Sequence, residues 1–373
     1  MKILLLSSSH DVKNGYGNIT HELCSVLRTQ ADLTLLLPKD EPHRDAPYHT
    51  EYVLPSYIFD VKTPKIFDYL RFRYPVYADI VHSLFEFPYS LIATRLAKKN
   101  KKPLIVGTQG TYAIRPLFLW PEKYLVRWTY NSARVITAPS AFTKNALIKY
   151  SQTKTPVTRI HNGVNFERFS QRQDTSILRE KFGDRTVLLT VGGLKPRKGQ
   201  DVVLKALGKL KKRRSDFVYC VVGSGSKYKK YLESLVIENN LQDHVFFEGE
   251  FEGDQLVAYF QMCDIYIHTP QLHDWQFEGF GIVYLEASAC RKPILAADSG
   301  GVRDAVIDGK TGLIVPEGDV NATAEAIERL LDDTSLRAEL ANNGYSYARE
   351  HDWSRVGKQF IDLYETLGKK ENT

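Results

Sequence analysis

The chain has 373 residues, 43% of them hydrophobic and 25% charged, with a formal net charge of +6. That composition is that of a folded globular protein and excludes a disordered or collagen-like chain, while the length allows two domains with separate cores. The charge is too small and too dispersed to call for nucleic acid, and no window approaches 18 uninterrupted apolar residues, so no membrane span is expected.

The first segment, MKILLLSSSH, has an apolar run too short for a signal-peptide core and reads as a buried strand, so a cytoplasmic location is expected. Cys24, Cys220, Cys263 and Cys290 lack metal-ligand spacing and sit in apolar or small-residue surroundings, as buried reduced thiols do. After the strand comes HDVKNGYGN, which sets Gly15 and Gly17 ahead of a helix over ITHELCSVLRTQ. The strand LTLLLP follows. Next is an aromatic and basic stretch, residues 66–90, in which Arg71 and Arg73 alternate with Tyr69, Phe72, Tyr74 and Tyr77. Such a stretch suits nucleic acid, a membrane face or a sugar, and equally ordinary core packing of its aromatics. DIVHSL, PLIVGTQG and RVITAPS then continue a series of apolar strands separated by helices. The clusters KNKK at 99–102 and KKRR at 211–214 read as solvated helix ends, where cations complement the dipole.

The alternation pauses at VTRIHNGVNFERF and restarts with TVLLTVGG, a helix over 201–212, FVYCVVGSG, a helix over 228–239, HVFFEGE, DIYIHTP, IVYLEASA and PILAAD. Continuous apolar strands alternating with helices predict parallel sheets covered on both faces. The fold class is therefore α/β, with two facing Rossmann-like domains and a donor cleft between them. The first spans 1–168, is completed by a C-terminal helix over 353–373, and takes the acceptor side; the second spans 175–350. Ligands in such sheets bind beyond the carboxyl ends of the strands.

Several loops at those ends carry chemistry. VGGLKPRKG supplies Lys195, Arg197 and Lys198, cations that suit a diphosphate. Gly223 opens VVGSGSKY, where Tyr228 replaces the third glycine of a dinucleotide fingerprint and weakens a nicotinamide reading. Gly300 and Gly301 follow PILAAD and offer main-chain N–H groups. FEGFGIVYLE places Glu278 and Glu286 eight positions apart around Gly279, Phe280 and Gly281, bare backbone at a helix start that can meet an anion. Taken alone, the last segment is equally a loop entering a core helix.

NGVNFERF, VGGLKPRKGQD, FEGFGIVYLEASA and DSGGVRDAVIDGKTGLIV, in this order and spacing, resemble the retaining glycosyltransferases of family 4, which have the two-domain B fold. The resemblance implies that Glu278 lies against the donor sugar and that Glu286 accepts from the nucleotide ribose. It implies that Phe280 and Gly281 present N–H groups, that Lys198 holds the diphosphate, and that Gly15 and Gly17 close on the phosphates. Arg197, Gly223, Gly300 and Gly301 complete the expected donor site; Gln109, Arg71 and Arg73 form the expected acceptor side. Two positions depart from the family pattern: Gly193 stands where an arginine is usual, with Arg197 and Lys195 as candidate replacements, and Gln109 stands where a histidine is common. No Asp-x-Asp pair occupies a suitable loop, so neither a metal nor another cofactor is expected.

EGFGIVYLEASAC and PRKGQD are most similar to bacterial enzymes that use GDP-mannose. The expected partners are thus a nucleotide-diphosphate sugar, GDP-mannose favoured, and a glycan or lipid-linked acceptor in cell-surface polysaccharide or glycolipid synthesis, met at an anionic membrane surface. A UDP-sugar transferase and a nucleotide-sugar epimerase are the alternatives. A glycosidase would also pair carboxylates but would not need a cationic phosphate loop, and a silent sugar-binding protein is the remaining choice.

Overall fold

The computed structural model describes residues 1–58, 63 and 65–369. Positions 370–373 of the expected terminal helix, and 59–62 and 64 of the expected first domain, lie outside the described residues. Two compact units result: Met1–Gly163 joined by the chain from Trp353 onward, and Val164–Asp352.

The first unit is built on seven strands: β1 (Lys2–Leu6), β2 (Asp32–Pro38), β3 (His49–Leu54), β4 (Ile80–Ser83), β5 (Leu104–Gly107), β6 (Val135–Ala138) and β7 (Val157–Arg159). All pair in parallel, in the order β3-β2-β1-β4-β5-β6-β7. Ile3 to Leu6 and Leu35 to Leu37 are at most 2% exposed, which is why these strands read as unbroken apolar runs: helices cover both faces. The helix Trp353–Lys369 packs against the helix Gly15–Leu27, where a side chain in place of Gly357 would put its Cβ 2.4 Å from Val26 Cγ1. Deeper in, Tyr364 Oη lies 2.8 Å from Nδ1 of the buried His82. Burial alone pushes that imidazole down to about 3, so it is neutral.

The second unit has six parallel strands: β8 (Thr186–Val191), β9 (Phe217–Val222), β10 (Val245–Gly249), β11 (Ile265–His268), β12 (Ile294–Ala297) and β13 (Leu313–Val315), in the order β10-β9-β8-β11-β12-β13. Alternate residues feed two separate cores. Val187, Leu189, Val218 and Cys220 face one layer, while Leu188, Phe217, Tyr219 and Val221 face the other. The division between units falls at Gly163, earlier than 168, because Val164 and Phe169 are buried in the second unit's core. Likewise residues 351 and 352 stay with the second unit: Val164 N–H bonds to His351 O, and Phe166 N–H to an Asp352 carboxylate.

The strand orders have a common consequence. From β1 the chain runs outward to β2 and β3, then returns to β4 on the other side; from β8 it runs to β9 and β10, then returns to β11. At β1/β4 and at β8/β11, adjacent strands send their following loops in opposite directions, which opens a crevice at their carboxyl ends.

Candidate active site

In the second unit, the loop after β8 enters the short turn Pro196–Lys198 and then the helix Gln200–Leu210 through Gly199. Gly199 is required there: its φ is +72°, and a Cβ would stand 1.7 Å from Thr269 O at the end of β11. This close approach brings the β8 loop onto the β11 loop. Lys198 Nζ reaches Glu278 Oε2 at 2.6 Å, and Arg197 Nη1 reaches the same oxygen at 3.2 Å. His268, the last residue of β11, is fully buried and places Nε2 3.5 Å from it. Three nitrogens thus converge on one carboxylate oxygen, whereas Oε1 has no protein partner among the described residues.

The electrostatics follow from this grouping. Burial by itself would raise the Glu278 carboxyl, but Lys198, His268 and Arg197 together hold it well below the usual range, so it is ionised. Lys198 is pulled down by burial and by Arg197, and Glu278 offsets part of that effect. His268 is lowered to about 4, first by burial and then by Lys198, and is neutral at pH 7. Its Nδ1 is buried without a hydrogen-bond partner among the described residues, while Tyr284 Oη donates to the His268 carbonyl at 2.8 Å. Side-chain exposures of 12% for Lys198 and 14% for Glu278 leave the pair within reach of a ligand at the strand ends. Two fixed cations and one carboxylate give this crevice a net positive charge, suited to a diphosphate.

Some expected donor groups serve this arrangement instead of facing a ligand. Gly301 N–H donates to the Glu278 carbonyl at 2.8 Å, and at Gly300, with φ +60°, a Cβ would stand 2.3 Å from that carbonyl. The loop after β12 therefore clamps the Glu278 backbone and does not offer the Gly301 amide. Gly223 N–H is taken by Gly249 O at 2.6 Å, and a Cβ there would meet Gly192 O at 2.0 Å, so its role is close strand-loop packing. The Phe280 side chain is 2% exposed and belongs to the core, and Gly281 enters the helix Ile282–Ala289 with φ +91°. Glu286, on that helix, is 7% exposed. A Cβ on Gly193 would make ordinary contacts, 3.6 Å from Ser224 O and 3.8 Å from Lys195 Cε, and it is Arg197 that joins Lys198 as second cation.

In the first unit, Gly17 N–H is occupied by the Asn14 side chain at 2.7 Å, and a Cβ on Gly17 would strike Asp11 O at 2.1 Å. Gly17 thus packs the loop and has no amide to spare for a phosphate, while Gly15 faces open space. Gln109, just past β5, accepts from Asn162 Nδ2 at 2.9 Å through its side-chain oxygen. Its main-chain N–H donates to Glu86 Oε2 at 3.0 Å. Arg71 and Arg73 are exposed and locally engaged: the Arg71 guanidinium lies 5.9 Å from the Phe67 ring centroid, and Arg73 Nη1 donates to the carbonyls of Leu70, Arg71 and Phe72. Among the described residues no hydrogen bond or ion pair joins them to Gln109.

Sequence reasoning missed His268 and Glu86, which carry no motif beyond their place at or just after a strand, and it took Asn162 only as the start of NGVNFERF, with no site role. His268 was open to discovery as a polar residue ending an apolar strand. A recess of about 820 Å³ lies apart from this chemistry, beside Cys290 and Arg291. Arg179 there is paired with Asp264 and Arg291 stacks on Tyr345, so two of its three arginines are already engaged.

Residues 172–347 match the model of glycosyl transferases group 1, and residues 13–168 that of Glycosyltransferase Family 4. The GDP-mannose-dependent alpha-(1-6)-phosphatidylinositol monomannoside mannosyltransferase of Mycolicibacterium smegmatis is 30% identical over 290 residues, covering 76% of this chain and 75% of that protein. The chain belongs to the family 4 glycosyltransferases. Among solved structures, sucrose-phosphate synthase from Thermosynechococcus elongatus superposes with a TM-score of 0.80 at 20% identity, over 98% of this chain and 99% of that one. Anabaena HepE in complex with UDP gives 0.78, also at 20% identity, over 98% and 100%. This glycosyltransferase therefore has the GT-B fold of those neighbours, and the crevice at β8/β11 is its candidate active site.

Proposed function

We propose that this glycosyltransferase moves mannose, with retention at the anomeric carbon, from GDP-mannose to a glycan or lipid-linked acceptor in cell-surface polysaccharide or glycolipid synthesis. The observation that carries the reading is the meeting of Lys198, Arg197 and Glu278 at the β8/β11 crevice. In the transfer the bond from the anomeric carbon to the diphosphate oxygen breaks, and a bond from that carbon to the acceptor oxygen forms on the same face. The acceptor's proton leaves with the diphosphate. Lys198 and Arg197 neutralise the charge that gathers on the departing diphosphate, the kind of interaction that dominates such catalysis. Glu278, through Oε1, accepts from donor-sugar hydroxyls and faces the positive charge developing at the anomeric carbon. Glu286 binds the ribose hydroxyls, and the backbone at Phe280 and Gly281 borders the phosphates. Because side-chain cations hold the diphosphate, no metal is required.

The mannose donor is supported by the mycobacterial relative's GDP-mannose. A UDP-sugar is the second reading, since HepE was solved with UDP. Incubation with GDP-mannose and UDP-glucose separately, reading sugar release and thermal stabilisation, decides between them. Preference for UDP-glucose would overturn the mannose reading, and loss of activity with EDTA, restored by a divalent ion, would overturn the metal-free one.

An anionic membrane face near Arg71 and Arg73 is part of the same proposal, supported by the exposure of Phe67, Leu70 and Tyr77 at 56%, 45% and 82%. Among the described residues no helix is long and apolar enough to cross a membrane. Sedimentation with anionic and neutral liposomes, comparing wild type with Arg71→Glu/Arg73→Glu, tests the surface contact. Equal binding by both proteins removes those arginines from it.

A further inference from the structure

The first unit holds a buried carboxyl group to which the proposed chemistry gives no role. Glu86 follows β4 at the β1/β4 crevice and is 1% exposed. Tyr16 Oη donates to its Oε1 at 3.0 Å and Gln109 N–H to its Oε2 at 3.0 Å, so one side chain ties the first turn of the first helix to the end of β5. Tyr16 packs edge-on against Phe85 and Tyr112, which fixes its ring. Both Tyr16 and Gln109 are part-exposed, and Gly15 beside them faces open space.

An ionised carboxylate only accepts hydrogen bonds. With Glu86 ionised, the Tyr16 hydrogen must point inward, and the lone pairs of Oη face out. The Gln109 side-chain oxygen already accepts from Asn162, which leaves its NH₂ as the group available to donate. The rim then offers one acceptor beside one donor, the pair that satisfies an alcohol as both donor and acceptor. A protonated Glu86 must instead place its own hydrogen, and of its two partners only Tyr16 has a lone pair to take it. Tyr16 would then turn its hydrogen outward, leaving two donors on the rim.

We infer that Glu86 is a positioning residue for the acceptor hydroxyl, its ionised form presenting Tyr16 as an acceptor beside the Gln109 donor and its protonated form reversing Tyr16. The inference rests on the acceptor-side reading of Gln109. The titratable groups that face Glu86 are phenols, Tyr16 from the first helix, Tyr57 after β3 and Tyr130 beyond β5, with Tyr112 packed against Tyr16, and Glu86 forms no ion pair among the described residues. Burial therefore raises its carboxyl to about 7, eased by its own backbone amide, Tyr16 and Gln109, so both forms are populated near neutral pH.

The test needs no knowledge of the natural acceptor. In protein carrying ¹³Cζ-tyrosine, with the Tyr16 resonance assigned from Tyr16→Phe, the signal should move with a midpoint near pH 7 in wild type and stay flat in Glu86→Gln. A flat wild-type signal between pH 5.5 and 8.5 would overturn the inference. In parallel, with GDP-mannose and octyl α-mannoside, Glu86→Gln should lower kcat/KM for the mannoside about tenfold, the worth of one misdirected hydrogen bond, with the GDP Kd unchanged within about twofold. It should also lose the acid limb of the pH profile, which Glu86→Asp should retain. An unchanged limb in Glu86→Gln counts against the inference. If wild type transfers nothing from GDP-mannose, the donor reading fails, and the tyrosine resonance still decides the role of Glu86.

Discussion

Each unit puts a glutamate at the same topological place, the crevice where a parallel sheet changes direction, and the two are driven opposite ways. Glu278, 14% exposed, is surrounded by Lys198, Arg197 and His268 and is held well below the ordinary carboxyl range. Glu86, 1% exposed, meets phenols and backbone amides and is raised to about 7. Burial acts on both in the same direction. What separates them is whether the neighbouring strand delivers cations, as the β8 loop does and the β1 loop does not. A cationic crevice suits a phosphorylated donor, and a neutral one suits an uncharged hydroxyl.

The strongest way to break this contrast is to remove the cation. Lys198→Ala should lower transfer from GDP-mannose by about 100- to 1,000-fold, because a charge facing the leaving diphosphate is lost from a partly water-excluded site. Steady-state rates check it; a loss below about threefold would mean that Arg197 suffices. Next, Glu278→Ala and Glu286→Ala should fail differently. The first should lower kcat with GDP affinity nearly intact, and the second should weaken GDP binding, as calorimetry beside kinetics would separate. Equal loss of GDP affinity in both would remove the division of labour.

The contrast also has a stability signature. A carboxyl raised on folding contributes stability that is present below its unfolded value near 4.5 and is lost as pH rises through about 7. Glu86→Gln should therefore gain stability relative to wild type across that interval, by on the order of 3 kcal/mol, and level off above it. Melting temperatures from pH 5 to pH 8 would show it, and a constant difference would contradict the raised carboxyl. The smallest effect belongs to the first unit's borrowed helix. Tyr364→Phe loses the buried bond to His82 and should cost about 1 kcal/mol in chemical denaturation, without changing GDP affinity.

Much of this was legible in the residues. Runs such as KILLL and FVYCVV are apolar at every position because both faces of a parallel sheet are covered, so strands, helices and fold class follow from local pattern. Lys198 and Glu278 were legible too, since a cationic loop after a strand and an acid beside bare glycines are each local features. Less legible was what the glycines do. Gly15, Gly17, Gly223 and Gly300 look alike in sequence, yet of these four only Gly15 faces open space, while the others let main chain pass within a distance no Cβ allows. Glycine marks a close approach without naming the visitor.

By itself, then, the sequence determined the alternation of apolar strands and helices along the chain, with β3, β7 and β13 left unread, the restart near Asn162, and which loops carry charge, because periodicity and composition act over a few neighbouring residues. Only the tertiary structure decided that Lys198, Arg197 and His268 share one oxygen of Glu278, residues separated by up to 81 positions. It alone set Glu86 behind Tyr16 and Gln109, 70 positions back and 23 ahead. Whether a carboxyl is charged depends on which groups the fold brings within a few ångströms, and strand order, which no local pattern encodes, chooses them.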